Sequence, residues 1–302
     1  MSCALCLTLE VVGIMQLALG TVQFGLKYGV AGRGDIVPPS EVKAILSRSA
    51  ELGISVLDTA SAYGDIEERL QSLADMSQFS VISKISAKPV GMDKSHLHEW
   101  VAEEVLRSSE RLGTALHGFM FHRAEDLLGD DGDALWAACE AATAGRNLKL
   151  GVSCYDIKTL QQVQSRFPVA IAQVPGNAFD QGLAFVLWLE NTLSEIYVRS
   201  VFLQGLLLMP QSKAVACIPA AENALRLWWE WCDSQTITPL TAALGIVKGF
   251  ARASHCVVGV DSLVQLEELA QAWFDAPVLT APELAVADDR VIDPRLWPAT
   301  SA

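Results

Sequence analysis

The stretch SVLDTASAYGDIEERL, residues 55–70, contains a whole strand-to-helix unit. Ser55–Leu57 begins an apolar run that ends on a carboxylate, Asp58, and five positions later Tyr63 stands before Gly64 and a charged amphipathic segment. A short run without alternating polar residues reads as a strand covered on both faces. Gly64 allows a tight turn, and Asp65 with Glu68 three positions on has the form of a capping box. The spacing predicts a helix directly after Tyr63, holding its ring at the end of the strand.

The same unit repeats along the chain. Further strand-like runs are LALGTVQF (17–24), SVISKI (80–85), HGFMFHR (117–123), KLGVSCY (149–155), VAIAQVPGN (169–177), IYVRSVFLQG (196–205) and HCVVGV (255–260). Between them lie amphipathic segments. In PSEVKAILSRSAELG, residues 39–53, Val42, Ile45, Leu46 and Leu52 recur at helical spacing and Gly53 falls at a C-terminal cap position. SHLHEWVAEEVLRSSERLG, residues 95–113, repeats the pattern, and further helices are expected near 133–145, 156–166, 183–193, 219–235, 239–253 and 262–275. Strands alternating with helices, without a linker or composition break, predict an α/β fold, a single-domain (β/α)8 TIM barrel over residues 17–302. Residues from about 276 form a C-terminal tail over one barrel end, and residues 1–16 an N-terminal extension. No G-x-G-x-x-G follows the first strand, which argues against an open doubly wound sheet.

Composition narrows the function classes. The chain has 302 residues, 51% hydrophobic, with net charge −13, and its mean hydropathy is +0.30. Such an acidic surface does not suit nucleic acid. The first twenty residues are apolar but lack a basic leader, and Glu10 interrupts them, so no signal peptide or membrane span is expected. Met15 is an alternative start. Seven scattered cysteines, an odd number, fit a reducing cytoplasmic compartment. Cys3 and Cys6 form a lone C-x-x-C without a second half, and no metal is expected. His96 and His98 open a helix, His117 and His122 are five apart on one strand, and His255 starts its strand, so a metal-dependent hydrolase lacks its ligands.

Functional groups of a TIM barrel gather at the C-terminal strand ends. Strand two ends in Asp58, strand three in Lys84, strand four in His122 and strand five in Ser153, while strand six carries Gln173 followed by Asn177. Asp58 and Lys84 on neighbouring strands can offset each other's burial; taken alone, they read equally well as a structural ion pair. Tyr63 adds chemistry. A phenol beside an ammonium is expected to have a lowered pKa, and His122 can donate a hydrogen bond to the same substrate oxygen. The set suits protonation of a carbonyl oxygen while a hydride reaches its carbon.

With those residues in place, the chain resembles the aldo-keto reductase superfamily from residue 17 onward. The motifs that carry it are LGTVQFGLKYGV, LDTASAYGDIEERL, ISK, MFHR, GVSCYD, AQVPGNAFDQ, LQGLL and VVGVDSLVQLEEL. In detail it resembles a bacterial branch associated with polysaccharide and nucleotide-sugar genes. The resemblance implies Tyr63 as general acid/base, tuned by Lys84 and Asp58, with His122 orienting the carbonyl. It implies an NADP(H) or NAD(H) cofactor across the mouth and a small carbonyl or sugar substrate. Cofactor contacts carry over to Gly20 and Thr21, to Ser153 and Gln173 at the carboxamide, and to Gln204 and Gly205 at the pyrophosphate. Gly259, Asp261, Gln265 and Glu268 fall on the adenosine side, where a helix N-terminus is expected to favour phosphate.

The chain departs from the family pattern at several points. Cys154 replaces a common asparagine, and Leu269 another. Arg199 takes the place of an aromatic ring that stacks on the nicotinamide; it suits stacking, an anionic substrate, or carbonyls at the barrel rim. Asp261 stands where a hydroxyl is usual near the 2′-phosphate, which points away from NADP and toward NAD. A different class of reading, a nucleotide-binding sensor or regulatory subunit on the same fold, predicts slow turnover. LRLWWEWC, residues 225–232, reads as a helix packed on the barrel wall.

Overall fold

The alternation of a strand decides which side chains enter a barrel, so register fixes the site. The computed structural model describes residues 15–32, 34–185 and 193–298. Eight parallel strands close into one barrel in chain order. They are β1 Gln16–Gly20, β2 Val56–Asp58, β3 Ser80–Ile85, β4 Leu116–Phe121, β5 Lys149–Ser153, β6 Ile171–Pro175, β7 Glu195–Arg199 and β8 His255–Val258. Asp58 lies opposite Ile82, Lys84 opposite Met120 and Ser153 opposite Gln173, while Leu19 opposite Val258 closes the ring.

Ala18, Val56, Ile82, Met120, Ile171, Tyr197 and Val257 form an apolar cluster separate from the main core, and they line the barrel interior. Gly151 completes it on β5, where a Cβ would lie 2.6 Å from Ile171 Cγ1. One strand period further along, the next inward side chain sits at the C-terminal mouth. That layer is Gly20, Asp58, Lys84, His122, Ser153, Gln173, Arg199 and Gly259. Every strand therefore contributes one of the residues singled out from the sequence.

At the opposite end the interior is also polar. Glu195 accepts from His117 Nε2 at 3.1 Å, from the Tyr197 hydroxyl at 2.5 Å and from Lys149, and His255 stacks on Tyr197 at 4.6 Å. His117 and His122 thus belong to opposite ends of the barrel.

Boundaries differ from expectation where the backbone turns. The run 17–24 breaks after Gly20, since Val22–Gly25 is one helical turn, and β1 starts at Gln16, inside the segment assigned to the extension. The run 196–205 stops at Arg199, because Ser200, Leu203 and Gln204 take left-handed φ of 59°, 49° and 54°. Helices fill the expected gaps, among them Pro39–Glu51, Ile66–Leu73, Leu97–Leu112, Glu222–Gln235 and Leu263–Asp275. The helix expected over 183–193 falls mostly on residues 186–192, outside the described residues, as does the extension's 1–14; Gly182–Phe185 is a 3-10 turn.

The capping box expected at Asp65 and Glu68 is not formed. Asp65 makes no side-chain cap bond and instead accepts from Arg69 Nη1 at 3.0 Å. Trp228 is buried, with its indole donating to the Leu207 carbonyl at 2.9 Å, so that helix packs on the wall. In the tail, Val286 N donates to Phe179 O at 2.9 Å, and Arg295 lies 3.7 Å over the Tyr155 ring. Among the described residues no helix is long and apolar enough to cross a membrane.

Candidate active site

The turn after β2 is tied to the strand beside it. Thr59 N donates to Ile82 O at 2.9 Å and Ser61 N to Lys84 O at 3.2 Å, so the ladder continues past Asp58. Tyr63 N returns to Ala60 O at 3.0 Å, and Gly64 follows at φ 67°, a conformation that disfavours a Cβ. Gly25 packs against this turn so closely that a Cβ on it would fall 1.9 Å from Tyr63 O. Tyr63 is thus held by a turn wedged between β3 and Gly25, and the missing cap is not needed.

Lys84 is fully buried; its Nζ donates to Asp58 Oδ1 at 2.7 Å and to Thr59 O at 2.9 Å. Gln173 Nε2 donates to the same Asp58 oxygen at 2.8 Å, and Ser153 Oγ reaches Gln173 Oε1 at 3.3 Å. Thr21 stands behind the carboxylate, donating through N (2.9 Å) and Oγ1 (3.1 Å) to Asp58 O. Lys84 Nζ lies 5.2 Å from the Tyr63 ring centroid, and His122 meets that ring edge-on at 5.7 Å. Asp58, Tyr63, Lys84 and His122, spread over 65 residues of sequence, form one group.

The electrostatics correct one expectation. The Tyr63 phenol is raised above its ordinary value, not lowered: burial disfavours the phenolate and the Asp58 charge adds to this, outweighing the pull of Arg199. Lys84 is lowered, with burial working against the support of Asp58. Burial, then the charges of Lys84 and Arg199, bring His122 down to about 3. At neutral pH this leaves a protonated phenol beside a neutral imidazole.

These groups open into a cavity of about 590 Å³, within the usual range for a ligand site. Gly20, Asp58, Tyr63, Gln173, Arg199 and Gly259 of the mouth line it, together with Gln204 and Gly205 of the loop after β7 and Asp261, Gln265 and Glu268 after β8. Thr21, Lys84 and Ser153 are buried beside that lining, and His122 is partly exposed next to the Tyr63 ring. Gly205, at φ 89°, packs on the first loop, where a Cβ would come within 2.4 Å of Ala31 Cβ, and Ala31 N donates to Gln204 O at 3.4 Å.

The lining is chemically suited to a dinucleotide, with Gly20, Gly205 and Gly259 beside polar side chains. Gln23, in the wall, carries a buried Oε1 with no hydrogen-bond partner, and its amide packs against Gly259, where a Cβ would sit 2.2 Å from Gln23 Nε2. Gln23 and Tyr28 were not singled out from the sequence, although both lie in the LGTVQFGLKYGV motif; nothing local distinguishes them from loop residues.

The start of the helix after β8, expected to favour phosphate, has two of its amides already taken. In the helix Leu263–Asp275, Gln265 N is capped by Ser262 Oγ at 3.2 Å, and Leu263 N is taken by the carboxylate of Glu41 at 2.7 Å. Gln265 Oε1 accepts from Asp261 N at 2.7 Å. Glu41 comes from the first long helix, more than 200 residues away, and no sequence signal links it to this end. Arg199 donates Nη2 to Cys154 O at 2.8 Å and Nη1 to Ser200 Oγ at 3.1 Å, and lies 4.4 Å over the Tyr155 ring. The Cys154 side chain is buried in the outer core.

The profile described as the aldo/keto reductase family matches residues 16–289. Among solved structures, the holo form of aldo-keto reductase AKR11C1 from Bacillus halodurans superposes with a TM-score of 0.68 at 20% identity, covering 94% of this chain and 92% of that one. The glycerol dehydrogenase AKR11B4 from Gluconobacter oxydans gives 0.63 at 19% identity, covering 87% of each. No match was found among curated proteins.

Proposed function

The chain belongs to the aldo/keto reductase family, and from that premise we propose that it is an NAD(P)(H)-dependent oxidoreductase of aldehydes, ketones or sugars with Tyr63 as general acid/base. The bound nicotinamide would supply or accept the hydride; the remaining work falls to the chain's own residues. The observation that carries the reading is the convergence of Asp58, Lys84 and His122 around Tyr63, with Asp58 and Tyr63 lining the cavity.

The protonation states assign the roles. An imidazole of pKa about 3 is charged in roughly one molecule in 10⁴ at pH 7, so His122 acts as a neutral hydrogen-bond donor to the carbonyl oxygen. The proton comes from Tyr63, which burial keeps protonated. A phenol with a raised pKa still transfers its proton to a more basic alkoxide. Alcohol oxidation needs the phenolate, so a protonated Tyr63 serves the reduction direction at neutral pH. Asp58 supports the charged form of Lys84 against its burial, and Gln173 is held by Asp58 and Ser153 beside the position for the carboxamide. Gln23 and Gly259 would meet the cofactor's backbone-hugging part, and Gln204 and Gly205 its pyrophosphate.

NAD(H) is proposed over NADP(H). Two carboxylates, Asp261 and Glu41, stand at the helix end that would receive a 2′-phosphate, and Glu41 already takes its first amide. Quenching of protein fluorescence by each cofactor tests this: NADH should bind at least tenfold more tightly, and equal or tighter NADPH binding would refute it. For the reaction, Tyr63→Phe should lower aldehyde reduction by about 10²–10⁴-fold while leaving cofactor quenching intact. A fully active variant would remove Tyr63 from the mechanism.

A further inference from the structure

Among the described residues, the mouth layer contains a cation, Arg199, that forms no ion pair with a carboxylate. Lys84 is paired with Asp58 at 2.7 Å, and Arg295, which shares the Tyr155 ring, is held by both oxygens of Asp293 at 3.0 and 2.7 Å. Arg199 has neither arrangement. Its partners among the described residues are a carbonyl, a hydroxyl and an aromatic face. A guanidinium has five N–H donors, so these contacts leave three donors and a full charge. Asp180 and Asp293 feel that charge without being bonded to it: Asp180 accepts from Gly182 N at 3.3 Å, and Asp293 holds Arg295.

Arg199 is also aimed. It ends β7 two residues beyond the inward-facing Tyr197, and it lines the same cavity as Tyr63 and Gln173. The Cys154 carbonyl and the Tyr155 ring fix the guanidinium plane, and Arg295 steadies Tyr155 from the tail. Its charge reaches the reacting groups, since it contributes to the shifts of both Tyr63 and His122. In a chain of net charge −13, a preorganised, unpaired guanidinium inside the pocket suits an oxyanion.

We propose that Arg199 is a specificity-determining residue that recognises an anionic group, carboxylate or phosphate, on the carbonyl substrate. The inference rests on the oxidoreductase reading for its substrate but not for the anion site itself. Tyr63 and His122 hold the carbonyl, and Arg199 across the mouth holds the oxyanion, so the preferred substrates are acidic aldehydes, ketones or sugars. Tyr155 and Arg295 are positioning residues.

Synthetic probes separate charge from shape. The enzyme is assayed with 4-carboxybenzaldehyde, its methyl ester and 4-formylphenyl phosphate, and binding of 4-carboxybenzyl alcohol and its ester to the cofactor-loaded protein is measured by calorimetry. Expected is at least a tenfold preference in kcat/KM for one anionic aldehyde over the ester, carried by KM; which anion wins identifies carboxylate or phosphate. Arg199→Met should erase the preference and leave the cofactor Kd within twofold, while Arg199→Lys should restore part of it. Failure of every aldehyde to react would count against the oxidoreductase reading, whereas an acid that binds tenfold more weakly to Arg199→Met than to the parent would still support the anion site. The proposal is overturned if acid and ester bind and react alike, or if Arg199→Met weakens cofactor binding tenfold and leaves the acid-to-ester ratio unchanged. That last outcome would make Arg199 a support for the nicotinamide.

Discussion

Replacing Asp58 by asparagine separates charge from shape at the centre of the site. Lys84 is fully buried and its ammonium has two partners, Asp58 Oδ1 at 2.7 Å and Thr59 O at 2.9 Å. An asparagine oxygen can accept the same bonds from Lys84 and Gln173, so the change removes the anion and little else. Breaking a buried pair in this way costs about 3–5 kcal/mol. An upper bound follows independently: the protein can avoid an unpaired ammonium by releasing its proton. Against an unfolded lysine of pKa about 10.4, that release costs about 4.6 kcal/mol at pH 7. The expected loss is therefore about 3–4.6 kcal/mol. The pH dependence is the sharper signature. Once Lys84 is neutral in the native variant, the unfolded chain binds one more proton, and stability rises with pH by up to about 1.4 kcal/mol per unit toward pH 10. In the parent, Asp58 opposes the burial-driven lowering of Lys84, so the rise should be smaller than in the variant. Urea unfolding followed by the fluorescence of the eight tryptophans between pH 6 and 9 measures both. Asp58→Asn combined with Lys84→Met should recover most of the loss. A loss below about 1 kcal/mol with an unchanged pH slope would refute the claim that the carboxylate carries the buried charge.

Two further outcomes can be checked. Because Tyr63 is raised and His122 lies near 3, the rate of carbonyl reduction should be flat from pH 6 to 8, while alcohol oxidation rises with pH as phenolate forms; a bell centred on a group near 6.5 that vanishes in His122→Gln would contradict the neutral imidazole. At the other barrel end, burial works to raise Glu195, but hydrogen bonds from His117, Lys149 and Tyr197 outweigh it and hold the carboxyl below the usual range. A lowered pKa means stability present above about pH 4.3 and lost as pH falls through the folded value, so Glu195→Gln should cost about 1–3 kcal/mol at pH 7 and flatten the acid limb of a thermal-denaturation series; an unchanged limb would show that the network contributes nothing.

The barrel was legible because its evidence is local. Each strand shows a short apolar run, each helix a 3.6-residue stripe, and the alternation of the two leaves few topologies. The mouth layer followed from the same periodicity: Asp58, Lys84, His122, Ser153, Gln173 and Arg199 are the polar residues one strand period beyond an apolar inward residue. The capping box misled because its residues also satisfy another bond. Asp65 pairs with Arg69, which reaches Phe24 O at 3.2 Å as well, and a long-range contact decided between two local possibilities.

What the sequence determined by itself was therefore which groups meet: strand period and strand order bring Asp58, Lys84, His122 and the Tyr63 turn to one end of the barrel. What those groups do electrostatically belongs to the tertiary structure. Burial depends on every segment packed around a phenol, and together with the Asp58 charge it raises Tyr63 in the folded chain, against the lowering that a neighbouring ammonium suggested. The same holds at two further places. Glu41 reaches the Leu263 amide from a distant helix, and among the described residues Arg199 meets carbonyl, hydroxyl and ring but no carboxylate. Periodicity can place a charge, but its pKa and its remaining bonding capacity depend on neighbours that only the folded chain assembles.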